Sequence, residues 1–330
     1  MAGLNKSPPV YVTVSALDAG HLTLPENLFV TEAGCNKRAT VPSPVFFVKH
    51  PAHGGSGERN LTGYPSKQQD HIANRHPIIS RPDCADILRY GVDWEPNRET
   101  LLDPAGDVDM VILSHVHWDH VGTPSDFANA SFVVGSGTLH LLEHGAGPLY
   151  PTEIFNDDEL PAVPYATKEE SYDAAPHAPK HTYAPSEAVA TLPSSIPVDS
   201  WAWESLANFP YFLDLFDDGS VFVIDSLGHL YSYVNLLLGV AGRRFIYLGG
   251  DCCHDPRILS GQKGIALYDD GKGRMRSVDR NMGVAKKKLG QINNFMEEVK
   301  VNEDIEVELI VANDKTWREK NRHGFWPGKL

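Results

Sequence analysis

Short apolar runs, set apart by polar and turn residues, mark the first third of the chain. Residues 10–17, 44–49 and 108–113 are brief, rich in β-branched or aromatic side chains and bounded by Pro, Gly or Asp, which predicts strands. Between the second and third of these, 50–75 carries glycines, polar residues and histidines without a period, the pattern of a long loop. At 83–90, Asp83 stands where an N-cap would and Ile87 and Leu88 are spaced to face inward, so a helix is expected. A strand at 131–134 and a short helix at 137–144 follow.

From 145 to 210 the pattern breaks. Ten prolines are interleaved with Ala, Ser, Tyr and acidic residues, and the stretch ends in Trp201, Trp203 and Phe209, which predicts a proline-rich insertion or lid that packs on something. Strand character returns at 211–216, 220–225, 233–238 and 243–248, with turns at Asp217-Asp218-Gly219 and Ala241-Gly242, a meander of hairpins. A helical period covers 281–299, a strand 305–312 and a closing helix 316–320. Two strand-rich blocks, each followed by helices, thus flank the insertion, an α/β arrangement.

The chain has 330 residues, with 29 basic and 43 acidic side chains and a net charge of −14. That balance disfavours nucleic acid and anionic membranes, since the longest basic run, Lys286-Lys287-Lys288, reads as a solvated helix face. The longest strongly apolar stretches, such as 234–240, are far short of the roughly 18 residues a spanning helix needs. The N-terminus lacks the pattern of a secretory signal, and Cys35, Cys84, Cys252 and Cys253 lack the spacing of a zinc knuckle or a disulfide framework. A cytoplasmic, reducing compartment is the expectation.

The chemistry gathers at Val111-Ile112-Leu113-Ser114-His115-Val116-His117-Trp118-Asp119-His120, where an apolar strand runs into three imidazoles and a carboxylate within six residues. These are the ligands that suit zinc or another borderline divalent ion. His115 and His117, two apart at the end of an extended strand, point to one side and can bind one metal. Asp119 and His120, in the turn beyond, can reach a second position.

This His115-x-His117-x-Asp119-His120 run resembles the HxHxDH signature of the metallo-β-lactamase superfamily. The likeness extends to Gly228-His229 after the strand 222–226, to Gly250-Asp251 after 245–249, and to Asn313 at the end of 310–312, where the family has a histidine. It implies a single domain over 1–330 with the αββα four-layer sandwich of that superfamily, interrupted by the insertion at about 145–210. It also implies that His115, His117 and His229 hold a first zinc, that Asp119 and His120 serve a second, and that Asp251 bridges them. With Asn313 in place of the histidine, the second site keeps fewer strong ligands, so one tightly bound Zn2+ and a weak or missing second are expected. Asp119 would orient hydroxide for attack on a ring carbonyl and accept its proton.

Among branches of the superfamily, the chain is most similar to the N-acyl-homoserine lactone lactonases and fungal relatives that open small lactone or lactam rings. Where the lactonases carry a tyrosine three residues beyond the bridging Asp, this chain has His254, read as the acid that protonates the leaving group, with a stand-in metal ligand or an exposed turn residue as the other readings. The expected partner is a small-molecule lactam, cyclic carbamate of the benzoxazolinone type, or lactone, with Trp118, Trp201, Trp203 and Tyr231 as aromatic walls. A metal- or small-molecule-binding protein of the same fold without catalysis is the alternative. Oligomeric state is not legible.

Overall fold

A computed structural model describes residues 10–51, 53–54, 72–91, 101–135, 137–147, 204–301 and 304–330, with Thr152, Phe155 and Leu160 as isolated positions. The strands are β1 (Thr13–Leu17), β2 (His21–Pro25), β3 (Arg38–Pro42), β4 (Val45–His50), β5 (His53–Gly54), β6 (Met110–Ile112), β7 (Ser131–Val133), β8 (Glu204–Leu206), β9 (Phe209–Asp214), β10 (Val221–Asp225), β11 (Val234–Ala241), β12 (Arg244–Gly250), β13 (Tyr268–Asp269), β14 (Met275–Arg276) and β15 (Glu306–Val311). The helices are α1 (Cys84–Tyr90), α2 (Pro104–Asp107), α3 (Trp118–Val121), α4 (Thr138–His144), α5 (Pro256–Leu259), α6 (Met282–Val301) and α7 (Lys315–Lys320).

The largest sheet has the order β15-β12-β11-β10-β9-β8, antiparallel throughout except for the parallel pair β12 and β15. Its strands are apolar on both faces. In β10, Val221 and Val223 point to one core cluster, while Phe222 and Ile224 point to another, and in β12 Ile246 opposes Phe245 and Tyr247 in the same way. A sheet covered on both sides requires such two-faced strands.

One cover is α6, whose Ala285, Leu289, Ile292, Phe295 and Val299 recur at the helical period and bury against Phe209, Phe245 and Tyr247. On the other face lie β1 and β4, antiparallel, and the parallel pair β6 and β7, whose residues Val14, Met110 and Val133 share a cluster with the inner face of the large sheet. Behind them, Ile87 and Leu88 of α1 and Leu141 and Leu142 of α4 pack with Leu17, Phe47 and Val111. The layers therefore run helix, sheet, strands, helices. Between the two strand layers remains a cavity of about 160 Å³, lined by Met110, Ile112, Val234, Leu236, Leu248 and Ile310 among others and reaching Ser114 and His120 at one end.

Asp83 caps α1 as expected, its side chain accepting from the Asp86 N–H in a capping box. Two expectations need correction. Residues 204–210 do not belong to an insertion: they form β8 and the start of β9, and Phe209 is fully buried under α6 rather than at the edge of a lid. Pro210, exposed in β9, hid the strand because proline reads as a break. Nor is 286–288 a wholly solvated run, since Lys288 turns inward and donates to the Asp225 carbonyl at 2.6 Å. Apart from 145–147, Thr152, Phe155 and Leu160, the rest of the proposed lid, with Trp201 and Trp203, and most of the loop at 50–75 lie outside the described residues. The hairpin of β2 and β3 had no clear signal, as Pro25 and Pro42 end its strands.

Candidate metal centre

Strand direction gathers the four motifs. β12 and β15 run parallel, and β10, two antiparallel steps from β12, runs the same way, so His229, Asp251 and Asn313 all follow strands that end on one rim. The loop after β6 is brought to that rim by a hydrogen bond from the Val234 N–H to the Ser114 carbonyl, 3.0 Å. α3 is then fixed by two buried side chains, Trp118 in the cluster under α6 and Val121 in the cluster under α1. Ser43 Oγ donates to the Asp119 carbonyl at 3.0 Å, pinning the turn. Trp118, 6% exposed, is thus core more than aromatic wall.

Two glycines make the close approaches possible. Gly228 has φ +141°, and a Cβ there would lie 2.6 Å from the Ala285 backbone, so α6 presses directly on the turn that carries His229. Gly250 has φ +48°, and a Cβ there would sit 2.3 Å from the Tyr233 hydroxyl. Asn313, at φ +66°, occupies the left-handed region that asparagine tolerates better than most residues.

The histidines converge. His117 Nδ1 lies 3.1 Å from His115 Nε2 and 3.0 Å from His229 Nε2. One imidazole nitrogen cannot satisfy two others by hydrogen bonding, whereas a shared cation satisfies all three lone pairs, and tetrahedral zinc with Zn–N of about 2.0–2.1 Å spaces its ligands by about 3.3 Å. The donor set therefore fits a divalent ion. Asp251 Oδ2 is the hub beside it: 3.1 Å from His120 Nε2, 3.3 Å from His254 Nε2, 3.6 Å from His229 Nε2 and 3.9 Å from His115 Nε2. Among the described residues, three groups have ligand atoms within 4.8 Å of one another: His115, His117 and His229; His115, His120 and Asp251; and His229, Asp251 and His254. Asp119 stands at the margin, its Oδ2 3.7 Å from His120 Nε2.

Electrostatics favours ligation. Burial, together with the neighbouring imidazoles, holds His115 well below the usual histidine range, so it is neutral with a free lone pair. Burial alone would raise Asp251, but the charges and hydrogen bonds of His120 and His254 outweigh it and hold the carboxylate ionised. His254 moves the other way: burial lowers it, yet the Asp251 carboxylate, with Asp279 beyond, raises it above the ordinary value.

Three supporting residues escaped the sequence reading. Ser114 Oγ lies 3.1 Å from His115 Nδ1, Asp279 Oδ1 lies 3.0 Å from His229 Nδ1, and the Tyr233 ring packs 4.9 Å from that of His115. Ser114 had a signal in being adjacent to the motif; the other two had none. Asn313 Nδ2 donates to Asp251 Oδ1 at 3.2 Å, so the residue that departs from the family pattern steadies the hub carboxylate. His254 is no exposed turn residue: its ring packs on Phe29 at 5.0 Å and on His229 at 4.7 Å.

No family model matches the chain. It is 26% identical over 262 residues to the cytochrome P450 monooxygenase mpaDE of Penicillium roqueforti (strain FM164), a match covering 76% of this chain and 27% of that protein. It is 25% identical over 158 residues to the metallo-hydrolase mfmC of Annulohypoxylon moriforme, covering 47% of this chain and 33% of that one. The chain thus spans about a third or less of the length of these relatives. Among solved structures, it superposes on an N-acyl homoserine lactone hydrolase with N-hexanoyl-L-homoserine bound at the catalytic metal centre, with a TM-score of 0.56, 14% identity and coverage of 97% of this chain and 99% of that one. A quorum-quenching N-acyl homoserine lactone lactonase gives a TM-score of 0.54, 13% identity and coverage of 97% and 98%. The chain therefore shares the αββα metallo-β-lactamase fold of these structures, as the motifs implied.

Proposed function

We propose that this protein, built on the fold of the N-acyl homoserine lactone hydrolases, is a zinc-dependent hydrolase that opens the ring of a small lactone, lactam or cyclic carbamate. The observation that carries the reading is the convergence of the His115, His117 and His229 nitrogens on one point beside Asp251. These three would hold the ion, and Asp251 would be shared with a weaker second place flanked by Asp119 and His120. A bound zinc supplies Lewis acidity toward a carbonyl and lowers the pKa of its water to about 7.

The protein's own share is positional. Asp119, the most open of these acids with a side chain 20% exposed, orients water and takes its proton. Asp251, held through one oxygen by Asn313, keeps the other toward the imidazoles. As the C–O or C–N bond of the ring breaks, His254 gives a proton to the leaving atom, and the product keeps the new carboxylate. His254 Nε2 stands 3.3 Å from Asp251 Oδ2, which holds its ring at the edge of the site.

The test is metal content together with ring-opened product, separated by chromatography, from a homoserine lactone, a γ-lactam and benzoxazolinone. Wild type is expected to hold zinc and to open at least one of the three, and His115→Ala and His229→Ala to lose metal and turnover together. Full zinc content in both variants would sink the ligand assignment. Zinc without ring-opened product from any of the three would leave a binding protein of this fold.

A further inference from the structure

The cavity between the two strand layers takes part in no step of the reaction above. Its wall follows whole strands: Val234, Leu236 and Leu238, alternate residues of β11, face it, as do Phe46, Val48 and His50 of β4. Strands rise about 3.4 Å per residue, so a wall that keeps to one face from Val234 to Leu238 is about 14 Å long. Asp119, Asp251 and His254, the groups that act on a ring in the proposed reaction, are absent from the lining, which stops at Ser114, His120 and Gly250. The space is therefore distinct from the place where a ring would be opened, and lies beneath the ligand cluster.

Its middle is short of contacts. On β11 Leu236 is half-buried although Val234 and Leu238, on the same face, are buried. On β12 Leu248 is half-buried although Ile246 is buried, and on β6 Ile112 is half-buried although Met110 is buried. Leu236 and Leu248 are partners across β11 and β12, so these gaps lie at one level. Protein cores are packed to crystal density, and apolar side chains that border a void forfeit dispersion contacts. Water is a poor filler, because an ordered water needs about two to four polar partners. Polar side chains stand only at the ends of the lining: Ser114 and His120 at the rim, and at the foot of β4 His50, whose Nε2 lies 3.0 Å from Asp218 Oδ2 and whose ring packs on Phe216 at 4.4 Å. As a round hole, 160 Å³ would take a ring of benzene's size; drawn out along the strands, the same volume takes a slender chain.

We infer that this slot is a binding site for an unbranched aliphatic chain, held between the layers by Phe46, Ile112, Leu236 and Leu248. The ligand class is a straight-chain alcohol or a like molecule, uncharged along its length, that meets the metal ligands only from below, at His120. Binding there requires none of the groups that act on a ring, so it stands or falls apart from the hydrolase reading.

Calorimetric titration of the zinc-loaded protein with 1-octanol and with cyclooctanol compares one carbon count in two shapes. Wild type is expected to bind 1-octanol about tenfold or more tightly, because a bulky ring cannot lie along the slot and forfeits methylene burial. Methyl resonances of Ile112, Leu236 and Leu248 should shift as 1-octanol is added. Leu236→Phe and Ile112→Phe, each of which puts a larger side chain into the slot, should weaken 1-octanol binding about tenfold or more. Absence of 1-octanol binding to wild type, equal affinity for the two alcohols, or binding undiminished in the filled variants would overturn the inference. If neither variant folds, the shape preference and the methyl shifts of wild type decide alone. Competition of 1-octanol with a ring substrate, while Ile112 and Leu236 stay unshifted, would put the chain at the metal and refute the slot.

Discussion

Asp279 decides which nitrogen of His229 faces the site. The two side chains are each 4% exposed, and the 3.0 Å contact between Asp279 Oδ1 and His229 Nδ1 directs Nε2 toward His117. Partners of this kind orient a ligand ring and raise its basicity, so Asp279→Ala is expected to weaken zinc binding by about 10–100-fold. Asp279→Asn, whose amide oxygen still accepts from Nδ1–H, should fall between. Competition against a chromophoric chelator measures both, and unchanged affinity in the two variants would reduce the pair to packing. Such a residue is invisible in the sequence because fifty positions separate it from His229 and only the fold closes the gap. The His115-to-His120 cluster was legible for the opposite reason, since all its groups lie in one turn of chain. Asn313 was legible as a departure, but its hold on Asp251 required the two strand ends to be seen side by side.

Among the elements, α6 shows how period and charge can disagree. The helical repeat that buries Ala285, Leu289 and Ile292 also turns Lys288 inward, where Nζ lies 5.7 Å from the Phe209 ring and donates to the Asp225 carbonyl. Burial lowers its pKa below 10.5, more than nearby Asp225 restores. The sign follows: between the lowered folded value and 10.5, the unfolded chain holds a proton that the folded chain has released, so stability rises with pH across that window. Wild type is therefore expected to gain stability relative to Lys288→Met as pH is raised from about 8 to about 10, read from urea midpoints at each pH. A gap that stays constant, or moves against wild type, would show Lys288 to be charged and solvated. β10 and β12 were readable as strands because each is a short apolar run bounded by turn residues, although their two faces are equally apolar. β8 and the start of β9 were not, because Pro210 interrupts the run and the partner strand lies beyond it in sequence.

For the whole molecule, the candidate ligands come from both halves of the chain. His115, His117 and His120 follow β6 on one side of the sandwich, and His229 and Asp251 follow strands of the large sheet. A bound ion joins the two layers at their rim and stabilises only the folded state. At a free zinc concentration about a thousandfold above Kd, this contributes about 4 kcal/mol. The melting temperature is expected to fall on chelation and to recover on adding zinc, while His229→Ala should respond to neither; a melting curve indifferent to chelator in wild type would count against a metal shared between the layers.

The cavity beneath that rim has a mechanical consequence. Its 160 Å³ lies between Met110 and Ile112 on one layer and Leu236, Leu248 and Ile310 on the other, and it ends under His120 and Ser114. Close-packed interiors transmit strain, whereas side chains that border a void can yield into it. The walls of the site are therefore stiff where Gly228 abuts α6, and its floor is soft. Because the space opens part-way to solvent, pressure that drives water into it would act on its whole lining, which includes the His120 imidazole that touches Asp251.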